Sequence, residues 1–168
     1  MSLSMYEASV PTLSRMLDNL RGILSKGAAH AEQHKLDPAA LTTFRLYPDM
    51  FPLTRQVQIA TDMAKGCVAR LAGVEPPAYE DKETTFAELG ERVEKTAAFV
   101  KSFSSSQIDG SEDREIVLKM RNGEMRFSGK QYLLHFAIPN VHFHVATAYL
   151  ILRHNGVVLG KPDFIGAN

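Results

Sequence analysis

Apolar residues recur every three or four positions along four stretches of this chain, a spacing that places them on one face of an α-helix. The predicted helices cover about residues 5–26, 52–72, 85–103 and 128–155. Pro139 is expected to interrupt the last of them, so that its main piece runs from about Asn140 to Asn155. Each helix has one apolar stripe, which it must bury against another element.

Signals at the helix ends support these boundaries. Ser4 with Glu7, and Thr85 with Glu88, have the spacing of a capping box, in which two residues satisfy the free N–H groups of a helix start. Gly73 is expected to end the second long helix.

The sequence allows more than one course for the first helix, because of two residues. Pro11 either kinks this helix or marks a later start after Ser9. Gly27 weakens the helix, and we expect the helix to end near it.

The connections differ in character. Asp37-Pro38 is expected to cap and begin a short helix that runs through Leu41. Residues 45–52, with two prolines, indicate an ordered loop, whereas Ser104–Asp113 is rich in Ser, Asp and Gly and is expected to be a mobile loop. The tail Val157–Asn168 is expected to be irregular.

Before the last helix, the apolar period changes from that of a helix to that of a strand. Alternating apolar residues flank Asn122-Gly123, and they are Ile116, Leu118, Met120, Met125 and Phe127. Asn-Gly favours a type I′ turn, because both central residues need a positive φ. We therefore predict a small β-hairpin near residues 115–127, which must pack on the helices or pair with another chain.

Together these elements predict a mainly α protein. We expect an antiparallel four-helix bundle, with the small hairpin inserted before the last helix. A chain of 168 residues fits a single domain, so residues 1–168 are expected to form one unit.

Charge and composition exclude several classes of function. The chain has 19 basic and 19 acidic residues, so little electrostatic attraction to nucleic acid or to an anionic membrane is expected. Its single cysteine, Cys67, permits no intrachain disulfide and no cysteine-rich zinc site, and it is expected to be a buried, inert thiol.

The targeting signals of other compartments are not found in the sequence. The first six residues lack the charged and apolar regions of a signal peptide. Apolar stretches are too short for a membrane span. We therefore expect a cytoplasmic protein without a membrane partner.

The histidines of the last helix differ in helical phase. His144 shares the inward face of the last helix with apolar neighbours, while Asn140 and Thr147 lie at the edge of that face. His142 is expected to face solvent or a partner. Gln56 falls within the apolar arc of the second long helix, and we expect it to meet His144 inside the bundle.

This polar cluster has two interpretations. It is either a hydrogen-bonded buried histidine that fixes the register of the helices, or a pocket for a ligand. His30 and His34 are four residues apart, but they are expected to be solvated at a helix end, because no third metal ligand is nearby. The sequence has no G-x-S-x-G, P-loop or G-x-G-x-x-G motif.

Three blocks of sequence resemble a known family. They are RLYPDMFPLTRQVQIATDMAKG (45–66), ETTFAEL (83–89) and YLLHFAIPNVHFHVATAYLILRHNGVVLGKPDF (132–164). The chain is similar to an uncharacterised bacterial family of unknown function. More distantly, it resembles the DinB/YfiT-like superfamily of damage-inducible helical bundles.

The resemblance implies a place for a metal. Superfamily members commonly hold nickel or zinc through one histidine on the second helix and a His-x-x-x-His pair on the last. Matching the last helix puts His144 at the second histidine of the pair and Asn140 at the first. The remaining ligand falls within Gln56–Ile59, which holds no histidine. Amides are weak ligands for these ions, so we expect no stable transition-metal site and no cofactor.

Two functions follow as hypotheses. The first is a homodimeric small-ligand-binding or stress-related module with a degenerate metal site, whose pocket holds Gln56, Asn140 and His144, with Tyr149 at its rim. The alternative is a metal-dependent or thiol-dependent transferase or hydrolase, in which His144 is a ligand of zinc or nickel or a general base. Asp49 is the one acid expected near this histidine.

Overall fold

The computed structural model describes residues 3–120 and 122–166, with the side chain of Met120 left out. Its helices are α1 (Met5–Gln33), α2 (Pro38–Thr42), α3 (Leu53–Ala72), α4 (Phe86–Lys101), α5 (Ser105–Ile108), α6 (Gly129–Gln131), α7 (Ile138–His154) and α8 (Lys161–Ile165). A π-helical segment, Tyr132–Ala137, joins α6 to α7. The strands β1 (Glu115–Met120) and β2 (Gly123–Ser128) pair antiparallel. The chain is therefore mainly helical with a small two-stranded sheet, as the sequence predicts.

The long helices surround one apolar core. α1 packs against α4 and α7, and α3 packs against the same two helices. Leucine, isoleucine and valine side chains from all four fill the space between them, and many are fully buried. Within residues 3–120 and 122–166, no helix combines the length and the apolar character that crossing a bilayer requires.

The predicted helix starts are confirmed. Ser4 Oγ accepts a hydrogen bond from Glu7 N at 3.2 Å, and Glu7 Oε2 accepts one from Ser4 N at 3.2 Å. Thr85 and Glu88 form the same reciprocal pair at the start of α4. At the other end of α3, Gly73 adopts a positive φ of 74° and terminates the helix.

α1 is longer than predicted, because it runs unbroken from Met5 through Pro11 and Gly27. A Cβ at Gly27 would lie 2.9 Å from a ring carbon of Phe86 and 3.1 Å from a methyl group of Leu152. This glycine therefore permits a close approach of neighbouring side chains rather than ending the helix.

Two segments expected to lack regular structure contain short helices. Residues 104–113 include α5, whose Ile108 is fully buried, so the expectation of a loop throughout is wrong there. The tail includes α8, preceded by the buried side chains of Val157 and Leu159. A single apolar anchor in a polar segment is too weak a periodic signal to predict such helices.

The break expected at Pro139 does not occur. The backbone passes from α6 through the π-helical segment into α7, and Ile138 N donates to the carbonyl of Leu133, five residues earlier. Proline lacks an N–H group and its ring collides with the carbonyl four residues before it in a regular α-helix. The wider π-helical turn just before Pro139 gives the ring room, so the helix continues.

The hairpin is confirmed, with its turn shifted by one residue. Met120 pairs with Gly123, so the connection is residues 121–122 instead of Asn122-Gly123. Gly123 has a positive φ of 134°, while Arg121 lies outside the described residues and the type I′ turn stays a prediction. Ile116 and Leu118 are buried in the core, so the hairpin packs on the helices.

Candidate functional site

The candidate site is a hydrogen-bonded pair between α3 and α7. His144 Nδ1 lies 2.7 Å from Gln56 Oε1. Only 9% of His144 and 2% of Gln56 are exposed. The structure thus brings together the two polar residues that helical phase assigns to the interior.

The surroundings of Gln56 determine which ring nitrogen of His144 carries the proton. Gln56 Nε2 donates to the carbonyl oxygen of Phe51 at 3.0 Å. A carbonyl only accepts, so the amide nitrogen must face Phe51 and the amide oxygen must face the imidazole. That oxygen also only accepts, so Nδ1 of the neutral ring carries the hydrogen. Nε2 is left with a free lone pair.

The ring is held in its neutral form. Burial lowers the pKa of His144, and the positive charge of Arg55 lowers it further. Arg55 is fixed on the outer side of α3, where it donates to Gln58 Oε1 at 3.2 Å and pairs with Asp81. At neutral pH the imidazole is therefore an uncharged acceptor.

The free nitrogen reaches the protein surface. No residue in the described ranges donates a hydrogen bond to Nε2, yet this atom is not among the fully enclosed unpaired atoms, which are the hydroxyls of Ser14 and Ser111. Phe143 packs edge-on against the imidazole with ring centroids 5.2 Å apart, and it is 59% exposed. Phe51 is 53% exposed. The acceptor therefore lies beside the exposed ring of Phe143, and Phe51 is an exposed residue that bonds to Gln56 through its backbone.

Asn140 lies one helical turn before His144 and is half-buried. Its Nδ2 donates to the carbonyl of Phe136 in its own helix, at 2.7 Å. The amide group is thus held along α7, and it makes no hydrogen bond to the imidazole. Its side-chain oxygen stays available as an acceptor.

Tyr149, predicted at the rim of the pocket, packs on α8 and lies on a different face of α7 from His144. Its ring packs edge-on against Phe164 of α8 at 6.3 Å, and His142 packs on the same phenylalanine at 6.4 Å. Tyr149 follows His144 by five residues, which is about 140° around a helix and therefore another face. His142, expected to face solvent or a partner, is half-buried beside α8.

The other candidate groups lie apart from this pair. Asp49 is exposed and forms no hydrogen bond or ion pair with His144 in the described part of the chain. Cys67 is completely buried, and burial raises the pKa of its thiol to about 12. His30 and His34 stack on each other with centroids 4.4 Å apart at the end of α1.

Sequence reasoning missed Phe51 and Phe143. Both are aromatic residues on loop or outward-facing positions, which periodicity assigns to solvent rather than to a site. The signal available was the aromatic residue directly before His144 in the sequence. The contribution of the Phe51 backbone carbonyl has no sequence signal, because every residue has one.

The family follows from a comparison over nearly the whole chain. A family described as a domain of unknown function, DUF1993, matches residues 5–165. This chain belongs to the DUF1993 family. The resemblance to a family of unknown function is thereby confirmed.

A solved structure supports the more distant relationship of this DUF1993 chain. This chain resembles the crystal structure of a DinB family member protein from Shewanella denitrificans, with a TM-score of 0.88 and 41% sequence identity. The match covers 97% of this chain and 92% of that chain. A search of curated proteins finds no match.

The residues of this DUF1993 chain do not fit the metal site that the superfamily resemblance implies. Gln56 uses both ends of its amide, the oxygen for His144 and the nitrogen for Phe51. Only one imidazole nitrogen and the Asn140 oxygen are left as donors, too few for zinc or nickel. Over residues 3–120 and 122–166, no three His, Cys, Asp or Glu side chains are grouped as a metal site.

Proposed function

We propose that this protein is a small-ligand-binding module of the DinB-like four-helix-bundle type, with His144 Nε2 as the acceptor for a donor group of the ligand. The observation that carries the proposal is the double hydrogen bonding of Gln56, which directs the lone pair of the imidazole outward. The Gln56 amide thus orients the imidazole of His144 for binding and adds no charge to the site.

The neighbours of the acceptor define the ligand class. Phe51 and Phe143 are exposed aromatic residues beside the pair, and they favour a flat or apolar ligand body. The neutral imidazole favours an N–H or O–H donor over a cation. We therefore propose an aromatic ligand with a hydroxyl or ring N–H group.

The assembly belongs to the same proposal. We propose a cytoplasmic homodimer that uses the exposed part of α7. Leu150 is exposed one turn before His154, whose ring packs on Phe44 at 5.6 Å. Tyr47, three residues after Phe44, is also exposed, so apolar surface lies both on α7 and on the loop that precedes α3.

The binding proposal is tested with phenol and indole as probes and with protein carrying ¹⁵N-labelled histidine. Either probe is expected to shift the Nε2 resonance of His144 at millimolar concentration. His144→Gln and Phe143→Ala should both weaken binding, whereas Leu150→Ala, an exposed apolar residue of the same helix, should not. Absence of any His144 shift, or equal affinity in all three variants, contradicts the proposal.

An enzymatic role of His144 is the second candidate, favoured by the same free lone pair on a neutral ring. Against it, no carboxylate within residues 3–120 and 122–166 bonds to the ring, so none would stabilise an imidazolium during catalysis. A thiol-transfer assay with glutathione and a generic electrophile tests this role, and we expect no turnover above buffer. Turnover that is lost in His144→Gln would replace the binding proposal.

Two further measurements test the rest of the proposal. Elemental analysis of protein purified without a histidine tag is expected to find no stoichiometric metal. One zinc or nickel per chain that disappears in His144→Ala would overturn the metal-free site. Light scattering is expected to give the mass of a dimer, and Leu150→Glu should shift it towards the monomer, while monomer alone in the unmodified protein contradicts dimerisation.

A further inference from the structure

We propose a second binding site, for a small organic anion with an apolar part, in the cavity between the C-terminal half of α3 and β1. The cavity has a volume of about 740 Å³. Six of its lining residues matter for the ligand, namely Met63, Arg70, Arg114, Ile116, Leu118 and Phe136. This volume is within the range of small-molecule sites.

Two arginines supply positive charge without a carboxylate partner. Arg70 is half-buried, and its Nη1 donates to the hydroxyl oxygen of Tyr132 at 3.0 Å. Neither Arg70 nor Arg114 takes part in any ion pair formed by residues 3–120 and 122–166. Both guanidiniums are thus available for an anion.

A glycine within α3 and the glycine that ends it make room for the two guanidiniums. A Cβ at Gly66 would lie 2.3 Å from Arg70 Nη1, and a Cβ at Gly73 would lie 1.9 Å from Arg114 Nη1. Residues 66 and 70 share one helix face, because they are four residues apart, and Gly73 follows as the residue that ends the helix. Glycine weakens the interior of a helix relative to alanine, and at Gly66 the space that it leaves is filled by a guanidinium.

The rest of the wall suits an apolar group. Met63 and Phe136 are half-buried, and Ile116 and Leu118 are buried. Because β1 pairs with β2 alone, the other edge of β1 has no strand beside it in the described part of the sheet. An apolar ligand body can therefore lie along this edge.

The charges of the wall favour an anion. Arg70, Arg114 and Lys119 line the cavity together with two acids, Glu75 and Glu115. Glu115 is already paired with Arg126 at 2.9 Å. A carboxylate or phosphate group between the two arginines would neutralise the remaining excess of positive charge.

This cavity is separate from the His144 pair. Arg70 lies fourteen residues beyond Gln56 on the same helix, which corresponds to about 21 Å along its axis. The two sites can therefore be tested independently.

The probes are 4-phenylbutyrate and phenyl phosphate, with the uncharged 4-phenylbutyramide as the matched control. Calorimetry on the full chain is expected to detect binding of the two anions and much weaker binding of the amide. Arg70→Gln combined with Arg114→Gln should weaken anion binding by at least about tenfold. His144→Gln should leave it unchanged, which separates this site from the proposed function.

Gly66→Ala is the sharper test, because it keeps both arginines and moves only the flexible end of Arg70. It should weaken anion binding several-fold without lowering the melting temperature. Gly90→Ala is the control, since the space around this helical glycine is open. Equal affinity for the amide and the anions, unchanged binding in Gly66→Ala and the double arginine variant, or no binding at millimolar concentration would each overturn the proposal.

Discussion

Two arginines on neighbouring helices have opposite surroundings. The side chain of Arg92 in α4 is 2% exposed and forms ion pairs with Asp62 at 2.8 Å and with Asp81 and Glu83 at 3.0 Å each. Arg70 of α3 is half-buried and donates a hydrogen bond to the neutral hydroxyl of Tyr132. The first charge is neutralised by the protein itself, whereas the second is left for another molecule. This difference separates an arginine that builds the fold from one that can bind.

The Arg92 cluster fixes the long connection between α3 and α4. Asp62 belongs to α3, while Asp81 and Glu83 belong to the connection. Tyr79 of the same segment lies between three cations, with its ring centre 4.6 Å from Lys65, 5.2 Å from Arg92 and 4.4 Å from Lys95. These contacts hold a segment that has no helix or strand of its own.

The largest effect is expected when the paired arginine is removed. Arg92→Met keeps the apolar stem but leaves the three carboxylates without their common cation, and it should lower the free energy of unfolding by about 3 kcal/mol. Urea denaturation measures this loss. Arg126→Met is the matched control, because Arg126 bridges Glu115 and Glu124 on the exposed face of the hairpin and should contribute much less to the free energy of unfolding. Similar losses in the two variants would remove the distinction.

A carboxylate in place of the Gln56 amide should make its pair with His144 resemble the Arg92 cluster, in which carboxylates neutralise a cation. In Gln56→Glu, one oxygen accepts from the imidazole and favours its charged form, while the other faces the Phe51 carbonyl without a hydrogen. We expect a higher pKa of His144 and a loss of about 1–3 kcal/mol in the free energy of unfolding. An NMR titration of the imidazole measures the pKa. Gln107→Glu on exposed α5 is the control, and an unchanged His144 pKa in Gln56→Glu would contradict the geometry.

A smaller effect is expected from acid. The pKa of His144 lies below its ordinary value of 6.5 in the folded protein, because of burial and of Arg55. The unfolded chain therefore binds a proton first, so the free energy of unfolding is highest above this value and decreases as the pH falls below it. His142 contributes in the same direction through its own burial.

The comparison is between the unmodified protein and His144→Gln, which keeps a hydrogen-bond donor for Gln56. Denaturation between about pH 7 and 5 should show a smaller decrease in the free energy of unfolding in the variant than in the unmodified protein. Glu88, whose pKa is lowered to about 2 mainly by the backbone N–H of Thr84, titrates below this window. Equal acid losses in both proteins would indicate that His144 is not held neutral by the fold.

The smallest change in stability is expected at the other arginine. Arg70→Gln removes no ion pair but does remove the hydrogen bond to the buried Tyr132 hydroxyl, so it should lower the free energy of unfolding by about 1 kcal/mol. Urea denaturation beside Arg92→Met gives the direct comparison. A loss as large as that of Arg92→Met would show that Arg70 stabilises the fold in the same way.

The long elements could be predicted because their signals are local. Ser4 with Glu7 and Thr85 with Glu88 determine two helix starts, and Gly73 determines an end, all within one helical turn. The pairing of Gln56 with His144 also follows from phase, because each falls within the apolar arc of its helix. The local sequence pattern was sufficient to predict a feature when the residues that determine it lie within one helical turn.

Features that depend on residues distant in sequence were missed. Gly27 looks like a helix end until Phe86 and Leu152 are seen to fill the space beside it. The course of the chain through Pro139 depends on a change of backbone hydrogen bonding that no residue type announces. Arg70 and Arg114 are 44 positions apart in the sequence, so their common cavity has no local signature.

The π-helical segment has a consequence for the direction of the side chains on either side of it. In a regular α-helix, Tyr132 and His144 would point about 120° apart, because twelve residues separate them. A single extra residue taken up by the wider turn reduces that angle to about 20°. Both rings therefore face α3, one towards Arg70 and the other towards Gln56. Deleting one residue between positions 133 and 137 would leave eleven regular helical steps, which also give about 20°, so both rings should still face α3.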